Sequence, residues 1–306
     1  MMATPAAREI YPMAGSAVAA LLPDGRRLHL QHGPIDLVIE AFGAADEVRR
    51  AYRQAAARFD GLLDELVAEL SLLRHPLGAR DPQARGAVAR RMVAACRPYC
   101  DDFITPMAAV AGAVADEVLA ALAAGRDLAR GYVNDGGDIA LHLRPGERFR
   151  AGIIADVAMP EIFATLVIDA AAPVRGIATS GRATKGQGGR SFSRGIADSV
   201  TVLAKDGAAA DAAATMVANA VDIDHPAIRR EPARALDPDS DLGDILVTVA
   251  VGELGAAEIA LALARGEALA RRLREAGHIH GAVLTLKGAC RVVGGDALRL
   301  APPHAA

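Results

Sequence analysis

Asp211 and Thr215 stand four residues apart in ADAAAT with only alanines between them, so on a helix both oxygens would share one face, one turn apart. A carboxylate and a hydroxyl in that relation form a hard-oxygen pair suited to Mg²⁺, which takes one or two protein groups and completes its shell with phosphates and water. The local alternative is that Thr215 bonds back to the carbonyl of Asp211, while Asp211 complements the positive start of its own helix. A second polar group is Asn134-Asp135-Gly136-Gly137-Asp138. Such a run is what a positive-φ hairpin needs, yet Asn134, Asp135 and Asp138 are more polar groups than a turn requires, and paired glycines expose backbone amides to a ligand.

From Gly181 to Gly195 the chain has five glycines, four cations (Arg182, Lys185, Arg190, Arg194) and no acid. Amides without a neighbouring Cβ could approach an anion there, with Arg190 and Arg194 as clamps; the alternative is a flexible linker. The loop is neither a Walker loop, since Gly186 follows Lys185, nor a dinucleotide fingerprint, since Ser191 occupies the third glycine position. Asp198 is either a further acid beside this loop or an exposed strand residue. His278 and His280 would share one face of a strand, but no Cys, Asp or Glu lies near in sequence to complete a zinc set. Cys96, Cys100 and Cys290 lack a metal-type pair and read as free structural thiols of a reducing compartment. Neither GxSxG nor HExxH occurs, which removes the usual signatures of serine hydrolases and zinc proteases.

The elements that must position these groups follow from periodicity. LHLQHGPIDLVIE over Leu28 to Glu40 predicts two strands joined at His32-Gly33-Pro34. Helical spacing runs from Ala44 to Leu73, as one helix or a broken pair, and again from Gln83 to Ala95 and from Pro106 to Ala123 with Thr105 as cap. From Ala129 the period shortens to five short strands. After the basic loop come a strand (Ile196 to Ala204), a helix (Ala208 to Val221), a Pro- and Asp-rich linker (His225 to Gly243), a strand (Asp244 to Val251), a helix (Ala256 to Glu275) and two strands (His278 to Leu286, Cys290 to Val293). Strands and helices lack regular βαβ alternation, so the expected class is α+β.

Composition bounds the function. The 306 residues are 52% hydrophobic, enough for a sizeable core, with a net charge of −3. That charge argues against nucleic acid as partner, and 3% aromatics with no Trp argue against single-strand stacking surfaces. No uninterrupted apolar run of spanning length and no signal-like start are visible, so a cytoplasmic protein without membrane contact is expected.

In order and spacing, VNDGGDIAL, GIATSGR, SVTVLA and ADAAATMVANAV resemble the ApbE superfamily of flavin transferases over most of the chain. TPMAAVAGAVADEV, followed by VNDGGDIA and the basic loop, resembles an ApbE-like branch found in archaea and bacteria. The resemblance implies an α+β fold of two lobes, with mainly antiparallel strands. Residues 1–306 would form a single domain, helix-rich over 1–125 and strand-rich then α+β over 126–306. It also implies Mg²⁺ and a phosphorylated ligand such as FAD, cleaved to FMN and AMP or used to place FMN on an acceptor protein. By this resemblance Asn134, Gly136, Gly137 and Asp138 match the turn at the flavin, Thr179, Ser180 and Gly181 match a second flavin segment, and Asp211 and Thr215 match the metal pair. Two features depart from the family pattern. Val110-Ala111-Gly112 lacks the lysine of the family's AKG, and KGQGGRSFSRG replaces a histidine-bearing DPxTG hairpin. Two functional readings follow: a Mg²⁺-dependent protein acting on a flavin or related phosphorylated cofactor, and a non-catalytic binder of such a cofactor that lost the transferase activity. A homo-oligomeric scaffold built on the apolar helices is a third and weaker reading.

Overall fold

A computed structural model describes residues 11, 13, 16–80, 82–156, 159–182 and 192–294. Its centre is a nine-stranded sheet whose strands lie side by side in chain order, every pairing antiparallel. The sheet strands are β1 (Val18–Leu21), β2 (Leu28–His32), β3 (Ile35–Gly43), β4 (Leu128–Asp135), β5 (Asp138–Leu143), β8 (Gly176–Ser180), β9 (Ser199–Ala204), β12 (Gly281–Leu286) and β13 (Ala289–Gly294). Two hairpins stand outside it, β6 (Arg148–Asp156) with β7 (Met159–Asp169), and β10 (Ile228–Pro232) with β11 (Leu246–Val251). The helices are α1 (Ala45–Phe59), α2 (Leu62–Ala68), α3 (Leu70–Leu73), α4 (Ala87–Cys96), α5 (Val110–Ala123), α6 (Gly207–Ala220), α7 (Ala233–Leu236) and α8 (Ala256–Glu275). The class is α+β, as the sequence indicates.

Alternation within the strands explains the layering. Leu28, Leu30, Leu37 and Ile39 point to one face and are fully buried against Phe59, Leu122 and Leu128. Each such side chain contributes about 2 kcal/mol by leaving water. Along the same face, Val200, Val202, Leu284 and Leu286 pack on α6 and α8 through Val217 and Leu263. The opposite face is covered by the β6–β7 hairpin, whose Leu166 and Ile168 meet Leu141, Leu203 and Val283.

α6 lies between the sheet and its neighbour helices, and its Ala208, Ala210, Ala212, Ala213, Ala214 and Ala218 are all buried. Small side chains let three backbones approach it. A Cβ at Gly176 would run into Asp206 O, one at Gly195 into Ala218 O, and one at Gly112 into Gly207 O.

Several boundaries differ from the sequence expectation for identifiable reasons. The long first helix divides because Gly61 takes φ +79, the left-handed region that glycine tolerates. α4 begins at Ala87 rather than Gln83, since the Glu69 carboxylate accepts the amides of Arg85 and Gly86 at 2.7 and 2.6 Å and sets the start from outside. Thr105 makes no side-chain cap; its hydroxyl donates to Asp241, and Pro106 opens a 3₁₀ turn before α5. The segment expected as a linker holds β10 and α7. His278 and His280 precede β12 instead of lying on it.

The helical run Pro106–Ala123 is long and apolar enough to cross a membrane by length and composition alone. Half of that run is buried, however, and it carries Asp116 and Glu117 in tertiary hydrogen bonds. It is a core helix of this fold.

Candidate functional site

Three of the predicted groups converge where β4 meets β5, β8 ends and α6 completes its first turn. The β4–β5 hairpin turns on Gly136 and Gly137, at φ +61 and +114, and Asn134 Oδ1 accepts the Gly137 amide at 2.8 Å. A methyl on either glycine would meet nothing within 4 Å, so the turn needs glycine for its backbone conformation and presents an open surface. Asp138 opens β5 and accepts the Thr179 amide at 3.2 Å, which joins the hairpin to the end of β8. Thr179 directs its hydroxyl to Thr201 at 2.9 Å. Gly181, at φ +146, sits so close to β9 that a Cβ would strike Asp198 O and lie 2.8 Å from Ser199 Cα.

The third group comes from α6. Asp211 Oδ2 accepts the Gly112 amide at 3.0 Å, and the Ala111 amide also favours its charge. Burial nevertheless raises the Asp211 carboxyl well above its ordinary range, and the charge of Asp138 adds to the rise. Burial lifts Asp138 to about 7, against the Thr179 amide, which lowers it. Asp135 is also raised well above the ordinary range by burial and by Asp138. All three residues stay partly accessible to solvent. The hydrogen bonds that stabilise the charges of Asp138 and Asp211 come from backbone amides, and no salt bridge reaches either of them among the described residues. Carboxylates converging in this way need a cation or a shared proton.

Thr215 follows Asp211 by one turn, and its hydroxyl makes no hydrogen bond among the described residues, so the local alternative of a back-bond to Asp211 is not what the structure shows. Ser180 Oγ likewise makes no hydrogen bond among the described residues. Carboxylate, hydroxyl and carbonyl oxygens are the donor chemistry of a hard divalent cation. Among the described residues no three His, Cys, Asp or Glu side chains gather into a metal-holding group.

Not all of the other predicted residues join this group. Arg194 gives its guanidinium to Phe103 O at 3.3 Å and its amide to Asn219 Oδ1 at 2.9 Å, at the last turn of α6. Asp198 precedes β9 with its backbone against Gly181, and its carboxylate accepts the Lys287 amide in the β12–β13 turn. Lys185 and Arg190 lie outside the described residues. His278 is exposed, and His280 has its pKa lowered, by burial above all. Cys96 is buried, with its thiol on Thr105 O at 3.5 Å, and burial raises its pKa well above the ordinary value.

Sequence reasoning passed over Asp116. Its carboxylate is buried, accepts Gly207 N at 2.8 Å and Ala208 N at 2.9 Å, and is raised to about 6, chiefly by burial. A signal for it was present: Gly112 precedes Asp116 by four residues, as Gly207 precedes Asp211.

Residues 19–292 match the family model described as AbpE bacteria. A UPF0280 protein of Methanothrix thermoacetophila is 37% identical over 145 residues, 47% of this chain and 56% of that protein. A UPF0280 protein of Methanosphaerula palustris is 34% identical over 160 residues, 52% of this chain and 63% of that protein. The matched stretch thus spans somewhat more than half the length of these relatives. Among solved structures, the apo flavinyl transferase ApbE of Pseudomonas stutzeri superposes with a TM-score of 0.45 at 14% identity, over 95% of both chains. The ApbE protein of Thermotoga maritima gives 0.43 at 12%, over 87% of this chain and 96% of that one. At such scores and identities these likenesses bear on no particular chemistry.

Proposed function

The chain belongs to the AbpE bacteria family, and on that premise we propose that it binds a flavin or related phosphorylated cofactor together with Mg²⁺. The observation that carries this reading is the convergence of Asp138 and Asp211, two carboxylates stabilised among the described residues only by amides, both pushed upward by burial and Asp211 further by the charge of Asp138. Asp211 and Thr215 would hold the cation, with Asp138 facing it. Asn134, Gly136, Gly137, Thr179, Ser180 and Gly181 would meet the ligand; Gly136 and Gly137 offer open backbone, and Ser180 a hydroxyl with no hydrogen bond among the described residues. When bound, the cation would neutralise phosphate charge and polarise a phosphoryl oxygen.

What the chain's own residues do is hold and orient. The Gly112 and Ala111 amides fix one side of the Asp211 carboxylate, the Thr179 amide fixes Asp138, and Asn134 locks the turn. Among the described residues no imidazole or lysine ammonium hydrogen-bonds to these carboxylates. Val110-Ala111-Gly112 without the family lysine, and the loop that replaces the histidine-bearing hairpin, favour cofactor binding over transfer of FMN to an acceptor protein.

The test is a thermal-shift and calorimetric screen of FAD, FMN, pterins and nucleotides, each with Mg²⁺ and with chelator, on wild type and Asp211→Asn. Stabilisation that requires both ligand and Mg²⁺, and disappears in Asp211→Asn, is the expected result. Mg²⁺-dependent release of AMP or FMN from FAD would establish the catalytic reading instead. Ligand binding that is indifferent to chelator would overturn the cation site.

A further inference from the structure

α5 and α6 cross at their first turns, and the crossing is reciprocal. Gly112 and Gly207 face each other so closely that a Cβ on Gly207 would lie 2.8 Å from Gly112 O, and one on Gly112 would run into Gly207 O. Four residues beyond each glycine comes an aspartate. Asp211 of α6 accepts the Gly112 amide of α5 at 3.0 Å, and Asp116 of α5 accepts the Gly207 and Ala208 amides of α6 at 2.8 and 2.9 Å. Each helix therefore lends a second-turn carboxylate to the unsatisfied first-turn amides of the other.

The two carboxylates are used differently. Asp116 spends one oxygen on each of two amides and is 9% exposed. Asp211 accepts the Gly112 amide on Oδ2 and keeps more access to solvent, beside Asp138. The inner Asp206 caps only Ala209, at 2.8 Å, so it does not replace Asp116. We infer that Asp116 is a positioning residue of the site, fixing the α5–α6 crossing and with it the direction in which the Asp211 carboxylate faces. This inference rests on the reading of Asp211 as a cation ligand. It adds that the geometry of Asp211 is set from a residue that touches neither ligand nor cation.

The experiment compares wild type, Asp116→Asn and Asp116→Ala in two measurements. The first is hydrogen exchange of the Gly112 amide, normalised to the amides of Val200 and Val202 in β9. Asp116→Ala should speed Gly112 exchange roughly tenfold relative to β9, because α6, and with it Asp211, is no longer held to α5 through the Gly207 and Ala208 amides, and Asp116→Asn should fall between. A merely structural loss would raise exchange at both places alike. The second is Mn²⁺ affinity by electron paramagnetic resonance, expected to weaken by roughly tenfold in Asp116→Ala, in line with losses seen when groups orienting a metal ligand are removed. Unchanged relative exchange at Gly112 refutes the positioning role, whatever Mn²⁺ does. Faster relative exchange at Gly112 in Asp116→Ala, together with a wild type that binds no Mn²⁺, keeps the clamp and removes the cation reading. Should Asp116→Ala not fold, Asp116→Asn supplies the same comparison.

Discussion

Replacing Gly112 by alanine sets two effects of opposite sign against each other. Gly112 is the third residue of α5, and helix propensity alone makes the substitution favourable by about 1 kcal/mol. The contact opposes it: the new methyl would run into Gly207 O and lie 2.8 Å from Ala208 N, atoms of a backbone that cannot rotate away. Forcing extra volume into a close-packed place costs about 1–3 kcal/mol. Parting the helices also stretches the amide bonds to Asp116 and Asp211, each worth about 1.5–3 kcal/mol for a charged acceptor. The net expectation is a loss of about 3 kcal/mol, measured by urea unfolding at pH 7. Gly78→Ala is the control, since its methyl would meet nothing within 4 Å. A Gly112→Ala protein as stable as wild type would refute the account of the crossing.

Other outcomes follow from the same structure. Asp116 has its pKa raised from 3.8 to about 6, so the stability tied to its protonation is complete below pH 4 and is lost as pH rises through 6. Relative to Asp116→Asn, wild type should lose up to about 3 kcal/mol across that interval, and parallel pH curves for the two proteins would contradict this. Gly181→Ala, forced against Asp198 O at φ +146, should destabilise by more than about 3 kcal/mol, whereas Gly136→Ala, in open space at φ +61, should cost about 1–2 kcal/mol. Equal chemical-denaturation midpoints for those two variants would undo the distinction. Cys96 should resist a thiol reagent until the protein unfolds while Cys290 reacts in the native state; native labelling of both at one rate would contradict its burial.

Much of this was legible because it rests on local chemistry. The hairpin at His32 to Pro34, the strands after Ala129 and the full extent of α8 follow from alternation, turn residues and helical spacing. The Asn134–Asp138 turn and the Asp211–Thr215 face were equally local. What escaped sequence reasoning depends on partners distant in the chain. Glu69 decides where α4 begins, and Asp241 takes the hydroxyl that would have capped α5. Asp116 reads as an ordinary acid in an alanine helix until α6 is laid across it. The stretch from His225 to Gly243 is rich in residues that favour turns, yet Ile228 to Pro232 pairs with β11 because that strand supplies the hydrogen bonds. Charge alone marks Arg194 in the sequence, and the carbonyl that accepts its guanidinium belongs to distant Phe103.

The order of the nine-stranded sheet has a consequence for how the chain acquires and varies its structure. Because each strand is laid beside the one before it, the helices and outer hairpins are excursions between neighbours and not crossovers through the sheet. The hairpins β2–β3, β4–β5 and β12–β13 can close locally and early, while β3 finds β4, and β9 finds β12, only after an excursion has collapsed. Those two joins are the entropically expensive steps of assembly. They are also the places where a descendant could lengthen or exchange an excursion without disturbing the register of a single strand, leaving the β4–β5 turn and the end of β8 where they stand.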